Sequence, residues 1–244
     1  MLLIKHLHDG MCNNLNGVCL AKKMLLNVYQ IGLINYMQSY YLQTELLNQR
    51  VNGEIEDTLL LLEHPPVVTI GKSGKLENIL ATEVQFAEKG ISVFFMDRGG
   101  DVTYHGPGQL VGYPIVDIGS RGRDLHQYVH DLEEVLIRTL ADFGINAFRD
   151  NTHPGVWVGD GEIAAIGLKV KKWVSMHGFA LNVNTDLEPF SLINPCGFDD
   201  RRATSMSNIL SQELSMAAVM ERLIAHFAEI FDAQVVMGSG LCAK

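Results

Sequence analysis

Apolar residues along this chain follow two rhythms. Thr58 to Leu62 is an unbroken apolar run of strand length, the mark of a strand buried on both faces. Glu63-His64-Pro65-Pro66 stops it, Val67 to Ile70 begins the next strand, and Gly71 to Gly74 turns the chain. Leu25 to Gln30, Ile145 to Phe148, Gly155 to Val158, Ile163 to Val170 and Gly178 to Val183 read as further strands. Ile91 to Met96 reads as a buried strand, and so does Leu110 to Ile118, with Gly112 and Pro114 disturbing its pairing.

The helical rhythm is clearest after Asp124, which is placed to cap a helix with Gln127 three residues on, as in a capping box. Leu125, Tyr128, Val129, Leu132, Val135, Leu136, Leu140 and Phe143 share one face of it, and Gly144 closes it. Ile34 to Leu47, Glu77 to Lys89 (ending at Gly90) and Met216 to Phe231 (capped by Ser215) are the other helices expected. Asn48 to Asp57 reads as a polar loop and Gly119 to Arg123 as a basic turn. Nothing repeats, and composition does not break after Leu25, so the expectation is a single α/β domain with a mixed sheet over residues 24–244. Residues 1–23 lack periodicity and read as an N-terminal extension, with Met24 an alternative start.

The formal net charge of −9 argues against a nucleic-acid partner, which needs a basic stripe. No apolar run approaches the ~18 residues of a membrane span, and no secretory signal is visible in the first 23 residues. Cys12, Cys19, Cys196 and Cys242 form no CxxC pair, so neither a disulfide framework nor a zinc knuckle is expected, and a reducing cytoplasm is the simplest setting.

One stretch is too rich for a simple turn. Arg98-Gly99-Gly100-Asp101-Val102-Thr103-Tyr104-His105-Gly106-Pro107-Gly108-Gln109-Leu110 mixes glycines, which admit close backbone approach, with ionisable and hydroxyl side chains, and reads as a wall of a binding site. Cys196 lies between Pro195 and Gly197; the local sequence fits either a buried small hydrophobe or an accessible nucleophile on a tight turn. His126 and His130 are a near miss of the zinc-protease helix, with Gln127 where a general-base glutamate would stand, and no metal site is assigned. Lys169, Lys171 and Lys172 form a short basic group, by default a solvated strand end, alternatively an attraction for an acidic carrier. Neither a Walker phosphate loop nor a dinucleotide GxGxxG fingerprint is present.

The glycine-rich run, Ala164-Ala165-Ile166-Gly167, His177-Gly178-Phe179-Ala180-Leu181-Asn182 and Asn194-Pro195-Cys196-Gly197 together resemble the octanoyltransferases of lipoate biosynthesis, in order and spacing, from about Leu25 to Gln212. The resemblance implies the catalytic fold shared with biotin and lipoate protein ligases. It implies transfer of an octanoyl group from acyl carrier protein to a lysine of lipoyl-domain proteins, namely those of 2-oxo acid dehydrogenases and the glycine-cleavage H protein. It also implies a thioester intermediate, here on Cys196, and no cofactor. By the same match Arg98, Gly99, Gly100, Asp101, Val102, Thr103, Tyr104 and His105, with Ala165, Ile166, Gly167, Gly178, Phe179 and Ala180, line the acyl site. Backbone N–H groups near Gly99-Gly100 or Gly167 are then candidates for an oxyanion hole, and Val102, Tyr104 and Ile166 for the walls of an apolar channel.

The sequence departs from the family pattern at Glu162, the position of the lysine that lowers the cysteine's pKa. A carboxylate there acts in the opposite sense. Lys169 and Lys172 are poorly spaced to replace the lysine, whereas His105 or His177 would make a Cys–His arrangement. Alternatives to an active transferase are a non-catalytic acyl-chain or carrier-binding paralogue and an ATP-dependent lipoate or biotin ligase on the same fold.

Overall fold

The computed structural model describes residues 23–150, 154–194 and 202–241. In chain order it runs β1 (Met24–Leu33), α1 (Tyr36–Val51), β2 (Asp57–Glu63), β3 (Val67–Ile70), α2 (Glu83–Glu88), β4 (Ser92–Phe95), β5 (Val102–His105) and β6 (Gln109–Ile115). It continues with α3 (Leu125–Asp142), β7 (Phe148–Arg149), β8 (Gly155–Val158), β9 (Gly161–Lys171), β10 (Val174–Asn182), β11 (Arg202–Ala203), α4 (Met206–Leu210), α5 (Met216–Ile230) and β12 (Ala233–Met237). A large mixed sheet has the order β12-β1-β2-β6-β10-β9-β8-β7, with β11 also paired to β9, and a small sheet has the order β4-β3-β5.

The apolar run on β2 explains the layering. Side chains alternate across a strand, so Leu59 and Leu61 join Leu132, Leu136 and Phe227 under α3 and α5, while Leu60 and Leu62 join Leu42, Leu46 and Tyr113 under α1. All four leucines are fully buried. A third cluster, Val68, Ile70, Phe86, Tyr104 and Ile193, holds the small sheet.

Several expectations are corrected. The helix expected over Ile34 to Leu47 begins at Tyr36, after the Asn35 cap, and runs on to Val51, where Arg50 is anchored by the buried Asp57 at 2.9 Å; the polar stretch after Asn48 is therefore helical at its start. Glu77 to Lys89 is not one helix: Ile79 leaves a short 3₁₀ turn to bridge with Ile193, and α2 begins only after Thr82, which with Gln85 forms the capping box. Asp124 does cap α3, accepting from the Gln127 backbone at 3.0 Å, but the Gln127 side chain donates to Asp131 instead of closing a box. β4 is an exposed edge strand of the small sheet rather than a buried one.

Gly112 does not disturb β6. It pairs with Leu61 and with Phe179, and its missing side chain makes room for the Phe179 ring, whose nearest atom is 2.1 Å from an ideal Cβ. Pro114 lies just past the last β6–β10 pair, so its lack of an N–H costs no ladder bond there. The Ser175 hydroxyl fills the gap, donating to the Pro114 carbonyl and accepting from Val116 N–H. The β9–β10 hairpin turns through Lys172 and Trp173, both at positive φ (50° and 66°), as a two-residue type I′ turn requires.

Candidate active site

A cleft lies where the small sheet meets β9 and β10. Its lining includes Arg98, Gly100, Asp101, Val102, Thr103 and His105 from the glycine-rich run, Glu162, Ala165, Ile166 and Gly167 from β9, and His177, Gly178, Phe179 and Ala180 from β10. Tyr36 at the start of α1, Tyr113 on β6 and Pro154 complete it. Segments far apart in sequence thus meet because β9 and β10 are paired in register, Gly167 opposite Gly178 and Ala165 opposite Ala180.

The glycine-rich run is stitched down from both sides. The Arg98 guanidinium, buried, donates to the Thr69 hydroxyl and carbonyl and to the Gly99 carbonyl. Asp101 accepts from Lys75 N–H, Val102 N–H and the Asn78 amide, which shapes the loop. Gly99 N–H donates to Leu168 O at 2.8 Å across the cleft. An ideal Cβ on Gly167 would stand 3.0 Å from Gly99 O, so this glycine is where the loop rests on β9.

Two expectations are corrected here. The Gly99 N–H is spent on Leu168 and cannot serve an oxyanion. Neither Gly99 nor Tyr104 is in the cleft lining: the Tyr104 ring packs against Phe190, centroids 5.4 Å apart, in the small-sheet core.

The inner end of the cleft is a group of buried rings. Tyr113 hydroxyl and His64 Nε2 are 2.8 Å apart, and His64 Nδ1 meets the Ile34 carbonyl at 2.7 Å. His105 Nδ1 meets Gln109 Oε1 at 2.8 Å. Burial pulls His64 and His177 down to about 4 and His105 to about 3, so all three are neutral at physiological pH. His177 Nε2 faces Asp97, which also pairs with Lys169. Partial burial works to raise the Asp97 pKa, but hydrogen bonds from Lys169 and His177 outweigh it and hold the carboxylate below its ordinary range.

The sequence reasoning did not single out Tyr36 and Tyr113. They fall in segments expected as a helix and a strand with no site role, and only the packing of α1 over β6 and β10 brings them to the cleft. Cys196 lies outside the described residues. The residues on either side of its segment are tied to cleft-lining residues: Asn194 N–H donates to Asn78 O, Asn78 in turn holds Asp101, and Ala203 pairs with Glu162.

The profile of the lipoyl protein ligase A/B catalytic domain matches residues 35–228. The octanoyltransferase of Caldicellulosiruptor saccharolyticus is 50% identical over 213 residues, 86% of this chain and 91% of its own. That of Alkaliphilus metalliredigens is 49% identical over 214 residues, 87% of this chain and 98% of its own. In fold, the chain is similar to the bipartite lipoate protein ligase of Thermoplasma acidophilum (TM-score 0.66, 16% identity, 88% of this chain and 87% of that one). It is also similar to the biotin protein ligase of Aquifex aeolicus (TM-score 0.50, 11% identity, 86% and 70%). The match over most of the chain at this identity means that the chain belongs to the lipoyl protein ligase A/B catalytic domain family and, within it, to the octanoyltransferases, which are acyltransferases.

Proposed function

We propose that this enzyme moves an octanoyl group from octanoyl-acyl carrier protein to a lysine of lipoyl-domain proteins, through a thioester on Cys196. The observation that carries the reading is the cleft: small and apolar residues of β9 and β10 form its floor, residues of the Arg98–His105 run form its roof, and the flanks of the Cys196 segment are bonded to Glu162 and, through Asn78, to Asp101 of its lining. The Cys196 thiolate attacks the donor thioester carbonyl, the new C–S bond forms, and the carrier thiolate leaves. The neutral lysine amine then attacks the acyl-enzyme; an amide forms, the amine proton is released, and the Cys196 thiolate returns. Exchange of one thioester for another is nearly balanced, and the more stable amide drives the second step, so no nucleotide is required.

Mixing the protein with octanoyl-acyl carrier protein and taking its intact mass tests this. An octanoyl adduct is expected on the native chain and none on Cys196→Ser. Carrier binding without an adduct at any pH would overturn the reading in favour of a non-catalytic carrier-binding protein, and an amide product formed only with ATP and free acid would overturn it in favour of a ligase.

A further inference from the structure

Among the described residues, the outer edge of the small sheet is bare: β4 pairs only with β3. The Ser92 and Met96 N–H groups donate to Pro66 O and Ile70 O on the β3 side. The alternation of a strand therefore turns the N–H and C=O groups of Val93 and Phe95 outward. Ile91 to Met96 contains neither a charged residue nor a proline, the devices with which edge strands ordinarily refuse a partner.

The side chains of β4 divide by face. Phe94 stacks on Tyr36 of the cleft lining. Val93 and Phe95 point to the opposite face, where they line a groove with Ile70, Leu76, Ile79 and Phe86. This groove shares no lining residue with the cleft, and Glu83 is the one charged residue in its described wall. Phe95 is 72% exposed and Leu76 68%. Leu80 and Val84, next to lining residues in the chain, are exposed as well. With Val93, these side chains leave roughly 500 Å² of apolar surface open, at the upper end for a single patch on a monomer. A homodimer interface of standard size covers about 800 Å² on each copy, about 65% of it apolar, which is about 520 Å². The open area matches that requirement.

We propose that this edge joins two copies of the chain across a two-fold axis, with β4 antiparallel to its counterpart and the pairing centred on Phe94. In that register Val93 stands opposite the second copy's Phe95, and Phe95 opposite the second copy's Val93. Every outward N–H then meets an outward C=O, and the two small sheets become one. Each Val–Phe pair covers apolar surface on the groove side. A second copy suits this face better than the two proteins of the proposed transfer. A carrier and a lipoyl domain both present their group at the cleft, on the other face, and an acidic carrier would find no cation in the groove wall.

Sedimentation equilibrium of the full-length protein tests this. At about 100 μM the native chain is expected to show twice its 27.0 kDa. Phe95→Lys places a charge on the exposed face and is expected to raise the dissociation constant at least about 10-fold. Val93→Pro removes an outward N–H while sparing the β3 ladder, and should weaken the dimer with an apolar side chain still in place. Phe95→Lys, at an exposed position, carries the test if the proline variant does not fold. Val236→Lys, on the outer strand β12 of the large sheet, should leave the dimer intact. A native monomer at that concentration overturns the proposal, including one that captures a lipoyl domain or a carrier through Phe95. A dimer that Phe95→Lys leaves unchanged, or that only Val236→Lys breaks, overturns it too.

Discussion

His177 Nε2 lies 3.1 Å from Asp97 Oδ1, and the other oxygen of the same carboxylate meets Lys169 Nζ. Asp97 directly precedes the glycine-rich run, whereas Lys169 and His177 belong to β9 and β10, so this carboxylate clasps the roof of the cleft to its floor one step from the Gly99–Leu168 hydrogen bond. His177 also holds a left-handed backbone (φ 59°), a conformation that a non-glycine residue keeps only where its surroundings impose it. Asp97→Asn preserves shape and removes the charge. It is expected to lower stability by about 1–2 kcal/mol and to weaken octanoate binding by loosening the roof. Urea unfolding and calorimetry measure both; a loss below about 0.3 kcal/mol with unaltered binding would mean that the carboxylate holds neither.

The three neutral histidines give the protein an acid edge. Each has a pKa near 6.5 in the unfolded chain, whereas burial lowers it to about 4 for His64 and His177 and about 3 for His105. Between pH 6.5 and 4 the unfolded chain therefore binds protons that the folded chain refuses, and stability falls as pH falls through that window. The steepest slope, with up to three protons, is about 4 kcal/mol per pH unit. Urea midpoints at pH 7.5, 6.0 and 5.0 should drop in order. Equal midpoints across that range would mean that the histidines are solvated in the folded protein.

Two glycines in the cleft should respond differently to alanine. A Cβ on Gly178 would stand 2.1 Å from Gly112 O and 2.6 Å from Pro114 Cδ, both held in the central sheet. A Cβ on Gly167 would stand 3.0 Å from Gly99 O, a contact that a shift of a few tenths of an ångström relieves. Gly178→Ala is expected to cost about 3 kcal/mol or to prevent folding, and Gly167→Ala about 1 kcal/mol, with weaker octanoate binding. Chemical denaturation ranks them, and a milder effect at Gly178 would contradict the packing described.

Much of this molecule could be read before folding, for local reasons. Leu59 to Leu62 announced a strand buried on both sides, and Asp124 with the face from Leu125 to Leu140 announced α3. The Arg98–His105 run stood out because glycines and ionisable groups seldom mix that way in a turn. What escaped depends on distant partners. Arg50 extends α1 because Asp57 awaits it, Ile79 leaves a helix to meet Ile193, and Gly112 stays paired because Phe179 needs the space. Tyr36 and Tyr113 carry no site role in the sequence reading, since nothing in their own segments reports that α1 and β6 converge on a cleft.

Glu162 is where sequence and site are most at odds. It lines the cleft on β9, opposite Trp157 of β8 and beside Ala203 of β11, the strand that follows the Cys196 segment. The family resemblance puts a thiol-activating lysine at this position. A carboxylate near a thiol raises its pKa and a cation lowers it, each by about 1–3 units at close range, and the thiolate is the reactive form. Glu162→Lys is therefore expected to raise the rate of Cys196 alkylation by iodoacetamide at pH 7 by about 10-fold, with Glu162→Gln in between, and to move the alkylation pH profile to lower pH. The octanoyl adduct should form faster in the same order. If both variants alkylate at the native rate with the native pH profile, Glu162 does not act on the thiol, and the activating group must be sought elsewhere along the cleft.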